Sequence, residues 1–370
     1  MNFLGRALEL AELALGRTSP NPAVGAVVVR DGLIVGEGFT QPPGSAHAEV
    51  VALTAAGPGA RGADLYVTLE PCCHFGRTPP CTDAVIAAGI RRVVVATLDP
   101  NPQVDGGGVA ALRQAGIAVE IGDQAEAARR LNAAFVHFVR TGRPLVTAKW
   151  AMTLDGRIAT ASGDSRWVTG EPARRLAHLE RDASDAILVG IGTVLADDPR
   201  LTIRLEPADD RRPRRLAAPW RVVLDTQARL PLDAHLVCDN NDRRTLVFVG
   251  EQAPVERVHY LQARGVDVVI APTVAGRIEL SAALAALAQR GAIRVLAEGG
   301  SELLGSLFAA GRVDRVLAFI APKLVGGRAA PGPLGAVGRD RMAEAMPLRE
   351  VDVRTVGEDI LIEGWLDWQE

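Results

Sequence analysis

EPCCHFGRTPPC, residues 70–81, decides how the first part of this chain is read. It holds three of the four cysteines and one of the six histidines, so a chain sparing with cysteine has placed most of it in one loop. On its N-terminal side ADLYVTLE, residues 63–70, has the apolar run of a short strand. On its C-terminal side TDAVIAAG, residues 82–89, has the pattern of a helix closed by glycine. The loop therefore joins a strand end to a helix start, the place where layered α/β folds collect their chemistry.

The same alternation continues outward. Leu4, Ala7, Leu8, Ala11, Ala14 and Leu15 recur at helical spacing, and Gly16 ends the run. AVGAVVV (23–29) and LIVGEGF (33–39) read as strands joined by a hairpin turn at Asp31-Gly32. HAEVVALTAAG (47–57) reads as a helix, RRVVVATLD (91–99) as a strand, GGVAALRQAG (107–116) as a helix and IAVEIG (117–122) as a strand. QAEAARRLNAAFVHFVR (124–140) reads as one helix, with His137 an ordinary, partly buried residue on its apolar face. TGRP, residues 141–144, marks a boundary between a domain at 1–143 and another at 144–370.

The second region alternates again. Its strands are LVTAKWAMT (145–153), DAILVG (185–190), RVVLD (221–225), TLVFVG (245–250), VDVVI (266–270), IRVLAE (293–298), VDRVLAFIAP (313–322) and ILIEGWL (360–366). EPADDRRPRRLAAP, residues 206–219, reads as a solvated loop. No internal repeat is found.

Bulk properties narrow the function. The chain has 370 residues, 48% hydrophobic, and a formal charge of −3. Length and apolar content allow two cores, and the balanced charge gives no footprint for nucleic acid. Aromatics at 4% leave little for base stacking. No apolar run reaches the roughly 18–20 residues of a membrane span, and MNFLGRALELAELALG lacks the basic start and apolar core of a signal peptide. Clustered cysteines suit metal binding in a reducing compartment better than a disulfide framework. A cytoplasmic protein acting on small molecules is expected, with no membrane or nucleic-acid partner.

His47, Cys72 and Cys81 fall at two helix starts and one strand end, which converge in such a fold. One nitrogen and two sulfurs suit zinc and leave a fourth position for water. Two thiolates offset the ion's charge, so the site activates water less than three histidines would and needs a base beside it. Glu49, two residues after His47, fits that role. This is the pattern of zinc-dependent deaminases, H-x-E followed by P-C-x-x-C. Here eight residues, not two, separate the cysteines, and Cys73 and His74 are rival ligands within the insertion. Cys72 is favoured because it directly follows Pro71. The bland alternative is a closed structural zinc knuckle, which has no use for the glutamate.

In the second region Gly190 and Gly192 form a G-x-G after a strand, but Leu195 stands where a dinucleotide fingerprint needs glycine. AEGGSELLG, residues 297–305, is stronger: a strand end, two glycines and a helix start suit a phosphate.

TSPNPAVGAVVV (18–29), HAE (47–49), TLEPCCHFGRTPPC (68–81) and DPNPQVDGGG (99–108) together resemble the deaminase half of the bifunctional riboflavin-biosynthesis deaminase/reductase family. The resemblance runs on through AKWAMTLDGRIA (148–159), SGDSRWVT (162–169), VGIGTVLADDPRLTIR (189–204) and AEGGSELLG, and so covers nearly the whole chain. It implies an N-terminal cytidine-deaminase-like three-layer α/β/α domain and a C-terminal dihydrofolate-reductase-like α/β domain. It also implies zinc-assisted deamination of 2,5-diamino-6-ribosylamino-4(3H)-pyrimidinone 5′-phosphate, followed by NADPH-dependent reduction of ribosyl to ribityl. Zn2+ on His47, Cys72 and Cys81, with Glu49 as proton shuttle, follows from it. So does a deaminase pocket of Asn21, His74, Arg77, Asp99 and Asn101.

For the reductase, the resemblance implies NADPH contacts from Ala151, Trp167, Thr193, Asp197, Thr226 and the turn Gly300, Ser301, Glu302, Leu303, Leu304, Gly305 and Ser306. Sugar-phosphate contacts would come from Ser165, Arg181, Leu201, Arg204 and Glu298, with Arg181 and Arg204 as a phosphate clamp and Lys149 near the sugar. A homo-oligomer is expected. The competing reading is a single-activity zinc nucleotide deaminase with a C-terminal binding or regulatory module.

Overall fold

The structure, a computed structural model, describes residues 2–206, 212–335 and 338–367. The chain falls into two compact units, Met1–Gly142 with Glu206–Leu216, and Arg143–Leu205 with Ala217–Glu370. Part of the charged stretch 206–219 lies outside the described residues. Its described part carries no helix or strand.

The first unit is built on strands β1 (Gly25–Arg30), β2 (Leu33–Phe39), β3 (Asp64–Val67), β4 (Arg92–Val95) and β5 (Ala118–Ile121). They lie in the order β2-β1-β3-β4-β5, antiparallel about β1 and parallel from β3 onward. Asp31 and Gly32 turn the β1–β2 hairpin with φ of 50° and 77°, the paired positive values a two-residue loop requires. Its helices are α1 (Phe3–Ala14), α2 (Ala48–Ala56), α3 (Cys81–Ala88), α4 (Gly107–Gln114), α5 (Ala125–Leu131) and α6 (Ala133–Thr141).

Register assigns the faces. Val27 and Val29 of β1 pack on Ala7 and Leu10 of α1. Ala26 and Val28 pair with Gly38 and Gly36, so these four residues share the opposite face. There α2 lies directly on the glycines: a Cβ on Gly36 would stand 2.2 Å from Ala52 O, and one on Gly38 2.5 Å from Ala48 O. Helix, sheet and helix form three layers, and the missing side chains let the start of α2 sit close on the sheet.

The helix expected across 124–140 is broken at Asn132, which separates α5 from α6. The buried Asn132 amide accepts from Ala23 N at 2.8 Å and donates to Ala23 O at 2.9 Å. That long-range pairing, two residues beyond Asn21, overrides the local helical pattern. His137 is partly buried, as its spacing implied.

The second unit contains strands β6 (Leu145–Thr153), β7 (Ala186–Gly190), β8 (Trp220–Leu224), β9 (Thr245–Gly250), β10 (Asp267–Ala271), β11 (Thr273–Val274), β12 (Arg277–Ile278), β13 (Arg294–Ala297), β14 (Arg315–Ala321), β15 (Arg349–Val356) and β16 (Asp359–Trp365). Nine form one sheet, β10-β9-β8-β7-β13-β6-β14-β16-β15, parallel from β10 to β14 and antiparallel at β16 and β15. Its helices are α7 (Glu171–Ala183), α8 (Ile191–Asp197), α9 (His235–Cys238), α10 (Val255–Ala263), α11 (Leu280–Gln289) and α12 (Ser301–Ala309).

Two cores cover the parallel strands. Leu188, Val222, Leu246 and Phe248 point to one, while Ile187, Val189, Val223 and Val247 point to the other. Burial on both sides makes these strands continuous apolar runs. β15 escaped the sequence reading because it has no buried face: Arg349 to Thr355 are all exposed and mix valine with charge. β11 and β12, two residues each, are too short to carry a pattern. Among the described residues, no helix is long and apolar enough to cross a membrane.

Candidate active sites

In the first unit His47 is the N-cap residue of α2, Cys72 follows β3, and Cys81 opens α3. Their ligand atoms lie within 4.8 Å of one another, the one such cluster among the described residues. His47 Nδ1 is 3.2 Å from Cys81 Sγ and 3.6 Å from Cys72 Sγ. Nitrogen and sulfur ligands on a tetrahedral zinc would be separated by roughly 3.5 Å. The donor set and spacing therefore fit the ion. Cys81 N donates to Cys72 Sγ at 3.3 Å, so the start of α3 stabilises a thiolate. The shared contact with Cys81, followed by the one with His47, lowers the Cys72 thiol to about 4 despite burial. Cys73 turns elsewhere, its Sγ 3.9 Å from Gln103 O.

A cavity of about 270 Å³ opens beside this cluster. His47, Cys72 and Glu49 line it, and so do Asn21, His74, Arg77, Asp99 and Asn101. Glu49 is 4% exposed. Burial, then the negative charge of Cys72, pushes its carboxyl up to about 7, where a carboxylate can both take and return a proton near neutrality. Burial likewise raises Asp99, to about 6.

Glu70 also lines this cavity and was missed from sequence. Its buried carboxylate accepts from Asp99 N at 3.2 Å, Gly106 N at 3.0 Å and Val109 N at 2.9 Å. It thus ties the loop after β3, which carries Cys72, to the loop carrying Asp99 and Asn101, and it caps α4. The available signal was a carboxylate closing an apolar strand.

In the second unit a cavity of about 160 Å³ brings together Lys149, Ala151, Thr193, Asp197, Glu298, Gly300 and Leu304. Lys149, on β6, is held below the usual lysine value by burial. Gly300 N donates to Thr193 Oγ1 at 2.9 Å, which joins the β13–α12 turn to α8. Ser301, Glu302, Leu303, Gly305 and Ser306 belong to α12, whose positive end suits a dinucleotide's phosphates. Trp167 and Thr226 do not line the cavity, and neither does Ser165. Trp167 is exposed, with the Arg174 guanidinium 4.6 Å over its ring, and Thr226 O accepts from Gly250 N.

The structure revises the two-arginine clamp. Arg181 Nη1 donates to Thr202 O at 2.9 Å, and the rest of its fork holds Glu298. Arg204, exposed on the following segment, is the freer cation.

A cluster of one histidine and two cysteines with a buried glutamate, and a separate parallel-sheet unit with a glycine turn at a helix start, define a zinc-dependent deaminase joined to a reductase. The cytidine and deoxycytidylate deaminase zinc-binding region matches residues 1–97, and the RibD C-terminal domain matches residues 144–362. The riboflavin biosynthesis protein RibD of Aquifex aeolicus is 44% identical over 361 residues, 98% of this chain and 97% of that protein. Acinetobacter baumannii RibD has a solved structure with a TM-score of 0.86 at 38% identity, covering 99% of this chain and 98% of that one. A Thermotoga maritima diaminohydroxyphosphoribosylaminopyrimidine deaminase/5-amino-6-(5-phosphoribosylamino)uracil reductase gives 0.83 at 36%, with the same coverage. The chain belongs to the RibD family of riboflavin biosynthesis proteins.

Proposed function

We propose that the chain catalyses two consecutive steps of riboflavin biosynthesis on one phosphorylated intermediate. The first hydrolyses the 2-amino group of 2,5-diamino-6-ribosylamino-4(3H)-pyrimidinone 5′-phosphate and releases ammonia. The second reduces the ribosyl group of the resulting 5-amino-6-ribosylaminouracil 5′-phosphate to ribityl. The observation that carries this reading is the meeting of His47, Cys72, Cys81 and Glu49 beside a cavity lined by Asn21, His74, Arg77, Asp99 and Asn101.

His47, Cys72 and Cys81 hold zinc, which when bound supplies the positive charge that makes water acidic enough to attack. Glu49 takes the proton from the attacking water and delivers it to the ring nitrogen and the departing amine. Asn21 and Asn101 offer paired donors and acceptors to the pyrimidinone edge. Asp99 stands beside them, and His74 and Arg77 hold the phosphate.

In the second unit Ala151, Trp167, Thr193, Asp197, Thr226 and Gly300 to Ser306 hold NADPH, which supplies the hydride for carbon 1 of the sugar. Arg204 meets the phosphate, and Ser165, Leu201, Lys149 and the paired Arg181 and Glu298 orient the sugar. The RibD C-terminal match over 144–362 supports a reductase in place of a regulatory module. A homo-oligomer working in the cytoplasm completes this reading. Four free cysteines suit that reducing compartment.

The test is metal analysis of the purified chain together with ammonia and NADPH assays on the diaminopyrimidine nucleotide. One zinc per chain, with equal amounts of ammonia released and NADPH oxidised, is expected. Ammonia without NADPH oxidation would sink the second half of the reading.

A further inference from the structure

Helix α7 presents His178 and Arg181 one turn apart, and both reach the irregular segment 201–205. Arg181 Nη1 donates to Thr202 O at 2.9 Å, and Arg204 N donates to His178 Nδ1 at 3.3 Å. The segment starts at the buried Leu201, whose φ of 49° is unfavourable for leucine. Two side chains of one helix therefore hold a path that the backbone would not take unaided.

The charges nearby are unequal. His178 lies in the field of Lys149, Arg181 and Arg204, with Glu298 the one carboxylate in the group. Arg181 already pairs with Glu298. The remaining positive charge suits a phosphate dianion. A histidine nitrogen accepts an N–H only when unprotonated. Burial, then the charges of Arg181 and Arg204, hold His178 down at about 4, so the ring is neutral in ordinary buffers, and the Arg204 N–H selects the tautomer in which Nδ1 accepts.

We propose that His178 is a positioning residue of the reductase, whose Nδ1 fixes the backbone at Arg204 and so aims the exposed Arg204 guanidinium at the phosphate of the ribosyl substrate. This rests on the reading above that Arg204 contacts that substrate. His178 itself touches neither substrate nor cofactor in this scheme. Without it the segment keeps its tie through Arg181 but loses the one next to the cation that matters. One neutral hydrogen bond corresponds to about two- to tenfold in affinity.

The experiment uses the full chain and measures reductase kinetics of H178L, H178N, R204A and the H178L/R204A double variant. H178L is expected to raise KM for the ribosylaminouracil phosphate about tenfold, with kcat, the KM for NADPH and deaminase turnover within twofold of the parent. H178N places its amide oxygen where Nδ1 stood and should restore KM to within about twofold. The double variant should be no worse than R204A, and KM for the unphosphorylated riboside should not respond to H178L. Should H178L fail to fold, H178Q, whose amide lies further out at the Nε2 position, carries the same expectation. An unchanged KM in H178L beside a raised KM in R204A overturns the role of His178, as does an H178N that behaves like H178L. A wild-type KM in R204A overturns the reading beneath it.

Discussion

Arg181 grips Glu298 through two parallel hydrogen bonds, Nε to Oε1 at 2.7 Å and Nη2 to Oε2 at 2.8 Å, with side chains only 15% and 9% exposed. Burial alone would push Glu298 up; the charge and hydrogen bonds of Arg181 overturn that and leave it at about 2. A depressed carboxyl contributes stability above its unfolded value of 4.5, and the contribution is lost as pH falls toward 2. R181M should therefore destabilise the chain at pH 7 by about 3–5 kcal/mol, because it strands a buried charge. E298Q should flatten the fall in stability between pH 4.5 and 2 relative to the parent. Denaturant unfolding from pH 7 down to pH 2 checks both.

Glu49→Gln should keep zinc and abolish deamination, by about 10²- to 10⁴-fold, while NADPH oxidation on the ribosylaminouracil phosphate proceeds unchanged. Ammonia release and metal content are the measurements. Retained deaminase turnover removes Glu49 from its role.

The cysteines can be told apart by metal content. Cys73 directs its sulfur toward Gln103 O, away from the His47 cluster. C73S should retain about one zinc per chain, whereas C72S and C81S should lose most of it. A C73S chain that emerges metal-free would mean that the ligand set has been assigned wrongly.

Glu70 receives three backbone N–H groups from one loop and one helix start. E70Q turns one acceptor into a donor facing a donor, at about 1–3 kcal/mol. Deaminase KM should rise several-fold, because Asp99 and Asn101 lose their anchor. Reductase kinetics should not move. Thermal unfolding with both assays distinguishes this from general loss of fold.

Gly36→Ala places a methyl 2.2 Å from the α2 backbone at Ala52 O, and no rotamer relieves a clash with backbone. A loss of about 1–3 kcal/mol or more is expected, together with weaker zinc binding, since α2 carries His47. Wild-type zinc affinity in that variant would show that α2 is positioned by something else.

Much of this was legible because local and tertiary signals agree. β1 and β2 lie close to where alternation and Asp31-Gly32 put them, and α12 begins at Ser301, just after Gly300. The metal cluster was legible because His47 and Cys81 start helices and Cys72 follows Pro71 in the H-x-E and P-C pattern, although β3 ends earlier, at Val67, than the apolar run implied. Asn132 was not, because its partner Ala23 lies 109 residues away, and nothing in a helical pattern reports a side chain paired to distant backbone. β15 was not, because a strand exposed on both faces lacks the alternation that betrays a strand. The engagement of Arg181 by Glu298 joins residues 117 positions apart and turns an apparent phosphate fork into an internal tie.

Both compact units belong to a single polypeptide. Each round of translation therefore delivers one producer and one consumer of the deaminated intermediate, a fixed one-to-one dosage that promoter strength or message decay cannot skew. Any imbalance between the two half-reactions has to be set by their turnover numbers, so selection on flux acts on the kinetics of the sites and not on how much of each is made.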